Sequence, residues 1–283
     1  MAAGPAQNRR FLASDSRSAP RLVAAGHYRP PGLRCHAQCR SRPRRTGLLV
    51  CRHTQPFPIN LVSGLRINTA AETILAAAHD LGVLDLVILG DSALRLRHCT
   101  LTDLEITARQ RRRGAPLLRR VIPLLDARSE SAWESIMRVL HQAAEIPVTP
   151  QEEIFDEQGR FIARDDLRID GTRRIHEYDG ARHREADVHE GDLERDRALL
   201  AARFERHGFT SKHLRRDGAA IIADADRLLG RTWNPRRLAA WHGLLDHSLL
   251  GRAGRACAYR TWRRAIAETG QIQQAEGRNL GGT

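Results

Sequence analysis

The feature that most constrains the fold is a pair of short strand-like segments that both end in carboxylates. The second segment carries Glu177 and Asp179, and the segment before it carries Asp165 and Asp166. Side chains two residues apart on a strand share a face, so Glu177 and Asp179 are expected to point the same way. Neighbouring strands that bring carboxylates to one end form a site of hard oxygen ligands for Mg²⁺ or Mn²⁺. Such a site suits phosphodiester hydrolysis, in which the metal activates water and offsets charge on phosphate oxygens.

Alternation along the first segment does not determine whether Asp165 or Asp166 would be the metal ligand. On a strand over 161–168, Asp165 would share one face with Ala163, and Asp166 would share the other face with Ile162. The pattern alone does not choose between the two acids. Asp179 also has a second interpretation, because Asp followed by Gly is a common turn pair.

The chain divides into four parts by composition and periodicity. Residues 1–56 are rich in Arg, Pro, Gly and Ser and are predicted to be mostly loop or disordered, or a degenerate module. Residues 57–125 are predicted to be a helical lobe and residues 215–283 a helical C-terminal extension. Between them, residues 126–214 alternate helix, strands, helix and strand, which is typical of an α/β core.

Local signals predict where individual elements begin and end. Thr69, Thr100 with Asp103, and Ser131 with Glu134 are helix-start signals. In the α/β core the predicted elements are a helix over 131–143, strands at 151–155, 160–168 and 173–179, a helix at 192–207 and a strand at 209–214.

The net charge of +13 is concentrated in the flanks of the chain. Residues 1–56 contain 11 arginines and one acid, Asp15. Such flanks can attract phosphate without regard to sequence, although Lys212 is the only lysine and the charge also fits an arginine-rich composition. Five scattered cysteines fit a reducing cytoplasm. No apolar run is long enough for a membrane span, and no secretory signal is evident, so we expect no membrane partner.

The segment from 129 to 214 resembles the very-short-patch-repair-like endonuclease family, a branch of the PD-(D/E)XK restriction-endonuclease-like fold. The resemblance is carried by 129–131 with Glu134, 161–167, 177–180 with His183, 195–197 and 208–209. It implies a mixed sheet flanked by helices, with the helical lobes on either side. In actinobacterial proteins of this kind, an N-terminal module similar to abortive-infection type IV antitoxins often precedes the nuclease core. Residues 1–45 do not match that module.

The resemblance also implies roles for individual residues. Asp166 would be the central metal-binding acid and Glu177 the second, with the carbonyl of Tyr178 near the metal. Glu134 would be an acid at the edge of the site, although it also fits a helix cap with Ser131. Asp179 stands where the larger fold family has a lysine. The remaining implied site residues are His183, for the attacking water or the scissile phosphate, and Arg195 and Arg197, for the DNA backbone.

The sequence therefore predicts a DNA endonuclease dependent on Mg²⁺ or Mn²⁺, acting in DNA repair or phage defence. The missing lysine supports an alternative, a catalytically inactive DNA-binding regulator or antitoxin-like protein that keeps the fold. A third interpretation is a protein partner in a toxin–antitoxin or defence system. Two weaker predictions concern other residues: Cys35, Cys39, Cys51 and His53 have ligand types that suit zinc, and His176 alternates away from Glu177 and is expected to be a packing or surface residue.

Overall fold

The computed structural model describes residues 33–37, 48–52, 58–63, 65–180, 186–216, 218–261 and 263, and shows a mixed α/β protein. The strands are Leu33–Ala37 (β1), Leu48–Arg52 (β2), Ile59–Val62 (β3), Leu65–Asn68 (β4), Val148–Pro150 (β5), Glu153–Phe155 (β6), Phe161–Arg164 (β7), Leu167–Ile169 (β8), Arg174–Tyr178 (β9) and Glu205–Phe209 (β10). The helices are Ala70–Ala77 (α1), Val83–Arg95 (α2), Leu101–Ala108 (α3), Ala115–Val121 (α4), Ala132–Ala143 (α5), Ala186–Ala201 (α6), Ser211–Arg216 (α7), Gly218–Leu228 (α8) and Ala239–Asp246 (α9), with a further helical segment at 252–261.

One four-stranded sheet has the order β10-β9-β8-β5. Strands β10 and β9 are parallel, whereas β9 with β8 and β8 with β5 are antiparallel. The other strands form two-stranded pairs, β1 with β2, β3 with β4 and β6 with β7. The mixed sheet places β9 centrally, between β8 on one side and β10 on the other.

The predicted helix starts are confirmed by side-chain caps. Thr69 accepts a hydrogen bond from the backbone N–H of Glu72, and Thr100 and Asp103 form a reciprocal capping box. Ser131 caps α5 by accepting from the N–H of Glu134. These starts are encoded locally, because a short polar side chain satisfies an N–H group that has no partner within the helix.

The single strand predicted over 160–168 is wrong, because the chain bends at Asp165 and Asp166. Strand β7 ends at Arg164 and pairs with β6, whereas β8 begins at Leu167 and pairs with β5 and β9. The buried Asp165 stabilises the bend, since its carboxylate accepts the N–H of Glu152 at 3.0 Å and contacts Arg168 at 3.1 Å. Alternation does not carry across such a bend.

The predicted boundary between the last helix and strand of the α/β core is also wrong. Helix α6 ends at Ala201, and β10 covers Glu205–Phe209. Arg203 takes a left-handed conformation with φ of 63° just after the helix, a position that glycine usually fills. Because the left-handed residue after the helix is an arginine, the sequence carries no glycine signal at that point. The first glycine downstream is Gly208, so the predicted end of the helix falls there, inside β10.

A continuous hydrophobic cluster joins the helices to one face of the four-stranded sheet. It includes Leu75 and Leu86 from the first helices, Met137 from α5, Leu167 from β8 and Trp241 from α9. A smaller cluster lies on the opposite side of β9, formed by Ile154, Ala163, Ile175 and Leu199. Strand β9 is thus covered on both faces. In the described part of the chain, no helix is both long and apolar enough to cross a membrane.

Asp85 ties the start of α2 to the C-terminal part of the chain. Its carboxylate accepts the N–H of Gly82 at 3.1 Å and the N–H of Leu249 at 3.0 Å. Burial raises the pKa of Asp85 from 3.8 to about 6, although both N–H groups act in the opposite direction. The folded protein therefore holds this proton more tightly than the unfolded chain does.

We expect Asp85 to become destabilising relative to an asparagine as the pH rises from about 4 to 7, because the folded protein must then give up this proton. Between pH 3.8 and 6 the folded state binds more protons than the unfolded state, so its stability falls as the pH rises. The shift corresponds to about 3 kcal/mol at full effect. Urea unfolding of the wild type and Asp85→Asn at pH 4 and pH 7 is expected to show the wild type losing about that amount relative to the variant. A stability difference that is equal at both pH values would contradict the assignment.

Candidate functional site

The candidate site is built around β9, whose consecutive residues point to opposite faces of the sheet. Glu177 lies on the face covered by α6, and His176 lies on the face covered by α5 and α8. Both side chains are buried, with 6% and 0% of their residue surface exposed. Each face carries its own cluster of polar side chains.

The predicted acids Asp166 and Glu177 lie within electrostatic range of each other. The pairing of β8 with β9 ends with Leu167 opposite His176, so Asp166 directly precedes the paired residues of β8, and its charge raises the pKa of Glu177. Asp166 also accepts a hydrogen bond from the backbone N–H of Tyr178 at 2.8 Å, which fixes its side chain at the end of β9.

Two arginines hold the carboxylate of Glu177. Arg195 of α6 donates to Oε1 at 2.5 Å, and Nε of Arg206 of β10 lies 2.8 Å from Oε2. Arg206 also contacts Asp179 at 3.3 Å and Asp196 at 3.0 Å. The two guanidinium groups are about a quarter to a third exposed, so they border both the acids and the solvent.

Asp179 shares the face of Glu177, as its spacing predicts, and its position depends on Gly208. Strand pairing sets Gly208 opposite Glu177, and a Cβ at position 208 would lie 1.8 Å from Oδ2 of Asp179. The carboxylate of Asp179 therefore lies directly over the glycine. Any side chain at position 208 would displace it.

Glu134 is both a helix cap and a neighbour of Asp166. Its Oε2 accepts the N–H of Glu130 at 2.7 Å and the side-chain amide of Gln151 at 3.0 Å. Burial raises the pKa of Glu134, and the negative charge of Asp166 raises it further. The acid predicted at the site edge thus lies within electrostatic range of Asp166.

Burial raises the pKa of the acids in this cluster, and neighbouring carboxylates add to the shift. Burial raises the pKa of Glu177 to about 7; Arg195 and Arg206 oppose the shift, whereas Asp166 and Asp179 add to it. Burial also raises the pKa of Asp166 above its usual range, against the N–H of Tyr178. A cation at the cluster would favour the charged form of these acids and offset the cost of their burial.

The remaining predicted residues do not join this cluster. Arg197 is exposed on α6, two residues from Arg195 and hence on another side of the helix. His183 lies outside the described residues, as do Cys39 and His53 of the weaker zinc prediction. Asp165, the alternative metal ligand, contacts the N–H of Glu152 and the side chain of Arg168 within the bend between β7 and β8. Both of its carboxylate oxygens are therefore already engaged there.

A second cluster lies on the opposite face of β9. His176 of β9, His207 of β10 and Asp224 of α8 bring three ligand atoms within 4.8 Å of one another, and no other group of three does so among the described residues. His207 is opposite His176 in the parallel pair, and their rings stack with centroids 6.1 Å apart. The sequence predicts that His176 is either a packing or a surface residue, and in the structure it is buried. The sequence does not signal the cluster, because it depends on strand register.

Searches against family models, curated proteins and solved structures found no match to this chain. The resemblance to the endonuclease family therefore stays a prediction.

The donors around Asp166 fit a hard divalent cation in type. Asp166, Glu177, Asp179 and Glu134 offer only carboxylate oxygens, which Mg²⁺ and Mn²⁺ prefer. Oδ1 of Asp166 has no hydrogen-bond partner within the described part of the chain, whereas each oxygen of Glu177 contacts an arginine. Asp166 and Glu177 would therefore hold the ion once an arginine has moved away.

Proposed function

We propose that the chain is a divalent-metal-dependent endonuclease that hydrolyses phosphodiester bonds in DNA. The observation that supports the proposal is the proximity of Asp166 to Glu177 where β8 and β9 meet, next to two arginines that contact Glu177. The choice of DNA as substrate rests on the sequence resemblance. A role in DNA repair or phage defence belongs to the same proposal.

Each group at the site has a distinct task in this proposal. When bound, Mg²⁺ or Mn²⁺ supplies charge neutralisation at the phosphate and lowers the pKa of a bound water. Asp166, oriented by the N–H of Tyr178, and Glu177 bind the ion. Asp179, seated over Gly208, would accept a proton from the attacking water, a task for which the resemblance also nominates His183.

The two arginines link substrate binding to metal binding. In the described structure they neutralise Glu177, which is buried and would otherwise carry an uncompensated charge. A DNA phosphate offers Arg195 and Arg206 an alternative charge-assisted partner. When the arginines transfer to the phosphate, both oxygens of Glu177 become free for the cation. Substrate and metal are then expected to bind cooperatively.

A plasmid-nicking assay tests the proposal. The wild type is expected to nick supercoiled plasmid with Mg²⁺ or Mn²⁺ and to lose this activity in excess chelator. Glu177→Gln keeps the shape of the side chain but removes the charge that binds the ion, so its rate is expected to fall on the order of 100-fold or more. Glu153→Gln, on the exposed edge of β6, is the matched control and is expected to nick at the wild-type rate.

Equal nicking by the wild type and Glu177→Gln would sink the proposal, because a contaminating nuclease would then explain the activity. Activity that survives the chelator would also contradict it. Circular dichroism of the variants confirms that a lost rate is not a lost fold.

The ion pairs of Glu177 favour a second candidate function. A nuclease fold whose second acid is permanently paired with Arg195 and Arg206, and which lacks the lysine, would bind DNA without cutting it. This DNA-binding regulator or antitoxin-like protein predicts salt-dependent DNA binding that Glu177→Gln does not weaken. No nicking by the wild type, together with such binding, would favour the regulator over the enzyme.

A further inference from the structure

The cluster of His176, His207 and Asp224 contains a buried nitrogen whose proton and partner can be deduced. His141 of α5 places Nδ1 2.8 Å from the carbonyl oxygen of Met137, which can only accept. A neutral His141 therefore carries its proton on Nδ1 and presents a bare Nε2. That Nε2 lies 2.9 Å from Nδ1 of His176, so His176 must donate there.

In a neutral His176 the lone pair therefore lies on Nε2, which faces the carboxylate of Asp224. Nε2 is buried and has no hydrogen-bond partner among the described residues. It is 3.5 Å from Oδ2 of Asp224, too far for a strong hydrogen bond. The opposite assignment, with the proton on Nε2, would leave two bare nitrogens facing each other between His141 and His176. With the first assignment, Nε2 of His176 and Oδ2 of Asp224 are both electron-rich and face each other, so a cation between them would be stabilising.

Arg174 fills this need only in part. Its NH1 group lies 2.5 Å from Oδ2 of Asp224 and 2.7 Å from both ring nitrogens of His207, although one N–H cannot serve both. Its Nε is buried without a partner in the described part of the chain. Its NH2 already contacts the exposed Glu205 at 2.6 Å, which gives the guanidinium an alternative place.

We propose that His176 Nε2, a ring nitrogen of His207 and the carboxylate of Asp224 bind Zn²⁺. Two imidazoles and one carboxylate favour zinc over magnesium, which prefers oxygen ligands. The contact of His176 with His141 supplies the outer hydrogen bond that orients a ligating histidine. The side chain of His207 is 41% exposed, so the ion has a route from solvent and room for a water as fourth ligand.

This site is separate from the proposed nuclease centre and does not depend on it. Alternation along β9 and β10 places the histidines on one face and Glu177 with Arg206 on the other. A zinc ion here would link β9 and β10 to α8. Arg174 would release NH1 and remain with Glu205.

Measuring the zinc content of the full chain tests the site. The protein used carries Cys35→Ser and Cys39→Ser, so that zinc bound by these cysteines does not contribute to the measured content. In this background the protein is expected to retain one zinc per chain against a weak chelator. His207→Ala is expected to lose this ion, with an affinity loss larger than the roughly 10–100-fold that removal of an outer partner costs. His242→Ala, on the exposed side of α9, is the matched control and is expected to keep it.

Absorption of the Co²⁺-substituted protein provides a second readout, and circular dichroism checks that the variant is folded. Tetrahedral Co²⁺ is expected to give intense visible bands without the thiolate charge-transfer bands of a cysteine site. Asp224→Asn is expected to abolish them while circular dichroism stays unchanged. A background protein that binds no zinc, or the same zinc content in His207→Ala and His242→Ala, would overturn the proposal.

Discussion

Replacing Arg138 with methionine is expected to lower the free energy of unfolding by about 3–5 kcal/mol, the cost of breaking a buried ion pair from one side. Arg138 of α5 contacts Asp91 of α2 at 2.6 Å, and the two side chains are 2% and 1% exposed. The carboxylate of Asp91 also accepts from Ser135 and from the N–H of Asp126. Without the guanidinium, the charge of Asp91 would stay buried with too few partners, since burial already raises its pKa.

Urea denaturation measures this loss, and two further variants separate its causes. Arg138→Met combined with Asp91→Asn removes both charges and is expected to be more stable than Arg138→Met alone. Arg160→Met is the surface control, because Arg160 pairs with Asp156 while 77% exposed. It is expected to cost less than about 1 kcal/mol. An equal cost for the Arg138 and Arg160 variants would refute the buried-pair interpretation.

Trp241→Ala is expected to destabilise the whole protein by about 3–5 kcal/mol, because it leaves a large cavity. Trp241 is 1% exposed in α9, and a Cβ at Gly218 of α8 would lie 3.3 Å from its indole nitrogen. It belongs to the same hydrophobic cluster as residues of α1, α2 and α5. The segment after residue 215 is therefore expected to unfold together with the sheet.

Circular dichroism during urea unfolding distinguishes this outcome from a separable C-terminal extension. One transition, shifted to lower urea in the variant, supports a shared core. Two transitions, with only the smaller one shifted, would instead support the domain boundary predicted from composition. Trp233→Ala is the control, because Trp233 is 37% exposed and its removal is expected to cost much less.

The parts of the fold that were predictable from sequence are those with local causes. Thr69, Thr100 and Ser131 mark helix starts because each side chain satisfies a nearby N–H group. The bend at Asp165 was not predictable, because the sequence does not distinguish an aspartate buried against a backbone N–H from an exposed aspartate. The end of α6 at Ala201 is not predictable from sequence, because the left-handed residue that follows it is Arg203 and not a glycine.

The candidate site was predictable to the extent that it depends on alternation. The shared face of Glu177 and Asp179 follows from their spacing, and Glu134 lies near Asp166 as the resemblance implies. The contacts of Glu177 with Arg206 and of His176 with Asp224 were not predictable. They depend on which residues of separate elements the sheet sets side by side.

Because side chains alternate along β10, consecutive residues of this strand belong to different clusters on the two faces of the sheet. Arg206 and Gly208 face the acids, whereas the residue between them, His207, faces Asp224. If β10 slipped by one residue along β9, His207 would turn toward Glu177, and both clusters would be lost at once. A slip of two residues would restore the facing of each side chain. The register of β10 on β9 therefore maintains the acid cluster and the histidine cluster together.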